Sequence, residues 1–162
     1  MELLRQMIRD IICFFLLSYE NKALDVQNIK VEINKRAFGS QYHMMHHLGI
    51  AMQVMVKADM AAHKLVAMHE RIGKTNRDIF DVWFFFANNW PVNKKIVEAR
   101  TGKSYADFLR QCIKDLEEMS KRGILSGIGE LLNAKQKVWV KAHLKDETIF
   151  LLKLALSHEQ SF

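Results

Sequence analysis

The sequence predicts an all-α fold: a single domain over residues 1–162, a bundle of six to seven helices around a long, largely buried central helix. Three observations carry that expectation. First, Gln41 to Ile72 contains no Pro and one Gly, Gly49, while apolar residues recur in steps of four and three through Met44, Leu48, Ala51, Met55, Ala58, Ala62 and Leu65 to His69 and Ile72. That spacing lines one helix face. Two more apolar flanks, one through Ile50, Val54, Ala61 and Met68, the other through Met45, Met52, Val56, Met60 and Ala67, leave only a thin polar stripe of His46, Gln53, Lys57, Lys64 and Arg71. A helix apolar on almost every side is one that others wrap, and this one would span roughly 45 Å. Second, one Pro and seven Gly in the chain leave little material for turns, and good helix formers dominate the rest. Third, Gly stops and Ser/Thr caps divide the remainder into helix-length segments.

In chain order, Glu2 to Tyr19 reads as the first helix, with Leu4, Ile8, Phe15 and Tyr19 on one face. Asp25 to Phe38 fits either period: Ile29, Val31 and Ile33 alternate like a strand, while Val26, Ile29, Ile33 and Ala37 fit a helix. A lone strand would have no pairing partner, which favours the helix. The central rod follows and ends at Gly73. Thr75 to Asp78 has capping-box spacing ahead of a helix over 76–88 that holds Phe80, Trp83, Phe84, Phe85 and Phe86, with Trp90 beyond it. Pro91 opens the next helix, which runs to about Arg100 and stops at Gly102. In Thr101-Gly102-Lys103-Ser104 the second glycine of a P-loop is missing, since the residue five before Gly102 is Val97; the segment is a helix stop followed by a cap. Tyr105, Leu109, Cys112, Leu116 and Met119 then line the cleanest amphipathic helix, Ser126 to Gly129 is a flexible joint, and Glu130 to His158 is one long helix or two hinged near Asp146.

Cys13 and Cys112 fall at apolar positions, as reduced core thiols of a cytoplasmic protein do. The longest apolar run, Ile11 to Leu17, is too short to span a bilayer, and the N-terminal residues lack an export leader's pattern. The net charge of +6, from 24 Lys+Arg against 18 Asp+Glu, suits a nucleic acid or an acidic protein surface as partner. Lys137, Lys141 and Lys145 step by four along one face with Lys135 alongside, and Lys94, Lys95 and Arg100 form a second cluster. Each could neutralise phosphates. Rings among Trp83–Trp90 that point away from the core could join copies of the chain.

Histidines crowd the rod. On a helix His43 and His47 would share a face and form the start of a metal site, and Asp59 would sit beside His63, orienting its imidazole. No further ligand lies within a turn, so no cofactor is expected. Arg36 is followed after six residues by His43. This resembles the Arg-x-His pattern, with four to six intervening residues, of the helical ribonucleases called HEPN domains. The resemblance implies that Arg36 and His43 would activate the 2′-hydroxyl and scissile phosphate of RNA. The sequence alone favours a non-enzymatic basic helical protein, accessory, regulatory or inhibitory, acting through its Lys-rich surface. A HEPN-like ribonuclease and a self-associating structural protein are the alternatives.

Overall fold

The computed structural model describes residues 2–8, 12–18, 29–34 and 36–160, and the chain divides into two compact units, Met1–Ala37 and Phe38–Phe162. In the first unit β1 (Glu2–Ile8), β2 (Ile12–Ser18) and β3 (Ile29–Asn34) form an antiparallel sheet in that order. The central strand carries the chain's longest apolar run, rich in the aromatic and β-branched residues that suit a pleated surface. It pairs Phe15 with Gln6 on one side and with Val31 on the other. The helix expected over 2–19 is therefore replaced by two strands. The alternation of Ile29, Val31 and Ile33 is a real strand signal, and β2 is the partner it lacked while the first segment was read as helix. Cys13 is paired with Ile33 in register; its side chain and residues 19–28 lie outside the described set.

The second unit opens with the largest correction. The predicted rod is not one helix. Tyr42–His47 is strand β4 and Ile50–Met55 is strand β5, an antiparallel hairpin in which Met45 faces Met52. Only the last part is helical, α1 (Lys57–Arg71). The reversal sits at Leu48 and Gly49, whose φ angles are 49° and 79°. Two successive positive φ values make the two-residue turn that matches strand twist, and no helix interior accommodates them. The fold is thus mixed α/β rather than an all-α bundle of six to seven helices. The rod's repeated steps of three and four also place an apolar residue on both faces of a strand, so the period alone did not discriminate.

Beyond the hairpin the segments are helical, but three expected ends differ: the helix expected from Pro91 starts at Lys94 after an Asn93 cap, Thr75 does not cap the helix that starts at Arg77, and the last helical stretch starts at Ala134 and runs through Asp146 without a hinge. Helix α1 packs on α2 (Arg77–Ala87) and α3 (Lys94–Thr101), and α4 (Tyr105–Glu118) packs on α6 (Lys145–Gln160). Helix α6 follows α5 (Ala134–Trp139) through a π-helical stretch, Val140–Leu144, without a break. Leu65, Val66, Ile79, Val82, Val97, Phe108, Leu109, Cys112, Leu116, Val140, Leu144 and Leu152 form one buried core. Ser104 caps α4, its hydroxyl accepting from Asp107 N at 3.1 Å and donating to Asp107 Oδ2 at 2.7 Å. Asn133 and Gln136 close a reciprocal capping box on α5. No helix among the described residues is long and apolar enough to cross a membrane.

Candidate functional site

Helices α1 and α2 bring four charged side chains together. The Lys64 ammonium lies 3.1 Å from Asp78 Oδ1 and 2.6 Å from Asp81 Oδ2, and Arg71 Nη2 lies 2.9 Å from Asp78 Oδ2. Lys64 and Arg71 are seven apart on α1, two helical turns, and Asp78 and Asp81 are three apart at the start of α2, so each pair shares a face. Asp78 is buried, with 4% of its side chain exposed, while Lys64 and Asp81 retain 32% and 25%. A carboxylate buried this deeply requires cationic partners, and it has two. The cluster therefore holds one buried carboxylate, Asp78, between two cations that solvent reaches, with Asp81 bonded to Lys64 beside it.

A second polar knot lies at the other end of α1. Asp59, 1% exposed, accepts from Gln41 N at 2.6 Å and from Asn93 Nδ2 at 2.7 Å. His63 Nε2 lies 2.7 Å from Ser40 Oγ, and Arg100 Nη1 lies 3.0 Å from His63 Nδ1. A guanidinium can only donate, so Nδ1 accepts and the ring proton sits on Nε2, directed at Ser40. A serine nucleophile needs the opposite polarity, an imidazole nitrogen accepting from the hydroxyl. This contact is an anchor: with the Phe38 ring tilted against His63 and lying under Arg100, it holds the segment leading into the hairpin against α1 and α3.

The residues singled out from the sequence are scattered. Lys94 pairs with Glu159 at 2.7 Å and lies over the Tyr105 ring. Lys95 is exposed on the same helix, and Arg100, at the helix's far end, pairs with Glu70 at 3.1 Å. Lys145 donates to the carbonyls of Glu117 and Met119 at 2.9 and 2.7 Å, capping the C-terminus of α4. Lys135 and Lys141 are exposed and Lys137 half-buried along α5 and the π-helical stretch. So the Lys row is broken at its last member, which serves α4 instead of a ligand. His43 and His47 lie on one face of β4, but four strand residues separate them by about 13 Å rather than one helical turn, and among the described residues no group of three or more His, Cys, Asp or Glu could hold a metal ion. His43 is on an exposed strand and Arg36 in exposed non-helical chain, without the helix start on which the HEPN resemblance depends. Trp83 packs on Trp139 with centroids 4.5 Å apart, and Phe85 stacks on Trp90 at 4.4 Å. Most of the aromatic cluster is thereby used internally.

Sequence reasoning passed over the Lys64 cluster. On the sequence Lys64 and Arg71 belong to the rod's thin polar stripe, and Asp78 to a capping box with Thr75. The available signal was the pair of spacings, seven on one helix and three on the next, each placing like charges on a single face.

The fold is mixed α/β, and α1 and α2 join Lys64, Arg71, Asp78 and Asp81 in one ion-pair cluster. The chain belongs to the AbiEii family, whose model, described as nucleotidyl transferase AbiEii toxin of a type IV toxin–antitoxin system, matches residues 13–147. No curated protein and no solved structure matches it. Membership in a family of nucleotidyl transferase toxins overturns the reading as a non-enzymatic, Lys-surface, nucleic-acid-binding helical protein. It equally displaces the ribonuclease and structural-protein alternatives. The family's description sets such a toxin beside an antitoxin.

Proposed function

We propose that this chain acts in nucleotidyl transfer as the toxin half of a toxin–antitoxin pair, and that Lys64 is the side chain that meets the nucleotide's phosphates. In such a transfer an acceptor oxygen attacks the α-phosphorus, the bond to the β-phosphate oxygen breaks, and pyrophosphate leaves. Negative charge grows on the phosphoryl and leaving oxygens, and a preorganised cation there lowers the barrier. The observation that carries the reading is the geometry at Lys64 Nζ. Asp78 and Asp81 take two of its three donors, so the ammonium is held in place while the third donor can reach a phosphoryl oxygen. In this reading Asp81, the more exposed carboxylate, receives the acceptor's proton. Nucleotidyl transfer commonly uses divalent ions, but Asp78 and Asp81 already bind Lys64 and no third carboxylate or histidine joins them among the described residues. No step through a metal is therefore assigned to this cluster.

The test is expression in a bacterial host together with transfer from ribonucleoside triphosphates labelled at the α-phosphate. Lys64→Ala should lower labelled transfer about a hundredfold and relieve growth arrest, while the protein, with Asp78 still paired to Arg71, loses some stability but accumulates in folded form by circular dichroism. Undiminished transfer by a folded Lys64→Ala protein would remove the proposal.

A further inference from the structure

The β4–β5 hairpin is exposed on both faces. Tyr42, Met44, Met45, Leu48, Ile50 and Met52 are 54%, 57%, 46%, 89%, 65% and 40% exposed. From Tyr42 to Met55 there is no Asp, Glu, Lys or Arg. Isolated two-stranded hairpins are marginal in water, and an open, uncharged, apolar edge is a template for further pairing.

The hydrogen-bond register shows which backbone groups are open. Val56 N donates to Gln41 O at 3.0 Å, and the pairing then runs Tyr42–Met55, His43–Val54, Met44–Gln53, Met45–Met52, His46–Ala51 and His47–Ile50. Bonded and non-bonded pairs alternate in an antiparallel ladder. The bonds between the strands therefore belong to residues 41, 43, 45 and 47 of the first, and the backbone groups of Tyr42, Met44 and His46 point outward. On β5 the outward set is Ala51, Gln53 and Met55. β4 is exposed along its whole length, whereas Val54 and Met55 of β5 are half-buried. The open edge is β4.

We propose that this edge pairs with the same edge of a second copy of the chain, forming a continuous four-stranded antiparallel sheet across a two-fold axis at Met44. The outward set maps onto itself: Met44 meets Met44 of the other copy, and Tyr42 meets His46 in both directions, so all outward donors and acceptors find partners. Charge favours a like partner. The chain carries a net +6, so other faces of two copies bring like charges together, whereas this segment brings none. An isologous contact also closes on itself and so stops at a dimer.

The experiment is sedimentation or light scattering of the full chain over a wide concentration range, with two matched variants. The unsubstituted chain should approach the mass of two copies as concentration rises. Met44→Lys places two cations directly opposite each other at the axis and should weaken dimerisation about tenfold or more. Gln53→Lys makes the same chemical change on the outward edge of β5 and should leave the dimer intact. Circular dichroism checks that both variants fold. As an independent readout, Met44→Cys should cross-link into a dimer under mild oxidation, because a bonded antiparallel pair sets its Cα atoms about 5.5 Å apart, within disulfide reach. The unsubstituted chain under the same oxidation should not cross-link. A monomer at every concentration would overturn the proposal, and so would a dimer indifferent to Met44→Lys.

Discussion

The hairpin and helix α1 are neighbours in sequence and both contain several Met and His, yet they occupy opposite environments. Every residue from Gln41 to Gln53 is exposed, whereas Ala61, Ala62, Leu65, Val66 and Met68 of α1 are at most 1% exposed. Apolar content therefore does not by itself decide burial. The difference lies in what accompanies it. Helix α1 carries Asp59, His63, Lys64 and Arg71, whose bonds to Gln41, Asn93, Ser40, Asp78 and Asp81 fix it against its surroundings. The hairpin carries no formal charge and is tied to the body chiefly at its base.

The comparison is broken most directly by truncating one leucine on each side of it. Leu65→Ala should cost about 3 kcal/mol, from lost burial and the cavity left behind. Leu48→Ala at the hairpin tip should change stability by no more than about 0.5 kcal/mol. Urea unfolding measures both, and a large loss at Leu48 would mean that the tip is covered. Asp59→Ala comes next. It removes the buried acceptor shared by the exposed Gln41 N–H and the half-buried Asn93 amide, at about 1 kcal/mol, and hydrogen exchange should show the hairpin amides losing protection before those of α4. Ser104→Ala removes the α4 cap at about 1 kcal/mol, and it sharpens the contrast by weakening the body without touching the hairpin.

The pH response should be smaller still. The Asp107 carboxyl is held below its ordinary 3.8, first by the Ser104 hydroxyl and then by Arg110. Because the folded value is the lower one, its contribution is present above the ordinary carboxylate value and disappears as pH falls through the folded value. Melting curves from neutral to acid pH should thus lose less stability in Ser104→Ala than in the unsubstituted chain. Cys112 should show almost no reactivity. Burial, and secondarily Asp115, push its thiol up to about 12, so iodoacetamide at neutral pH should label it only after unfolding.

How much was legible follows from which residues carried each signal. The helices over 76–88 and 105–119, the stop at Gly102 and the cap at Ser104 are local matters, and the sequence specifies them locally. The misreading begins where local signals conflict. Met44, Met45, Ala51 and Met52 favour helix by propensity, and only Gly49 argued against it. A single Gly in a helix costs about 1 kcal/mol and is tolerated, so the sequence favours a continuous rod and leaves a break at Gly49 as the alternative. The candidate site was hidden for another reason: Lys64 lies 14 and 17 residues from the carboxylates it bridges, a separation no helical or strand period links.

By itself the sequence determined the helices of the second half, the stop at Gly102, the cap at Ser104 and much of their buried face, because caps, glycine stops and a clean 3.6-residue period act over a few residues. It also determined the basic balance and the neutrality of residues 42–55. Only the tertiary structure decided that residues 2–8 and 12–18 are strands, that the rod folds back at Leu48-Gly49, and that Lys64, Arg71, Asp78 and Asp81 converge. Strand pairing and ion-pair clusters are contacts between distant positions, and their free energy exists only once the chain has brought both sides together.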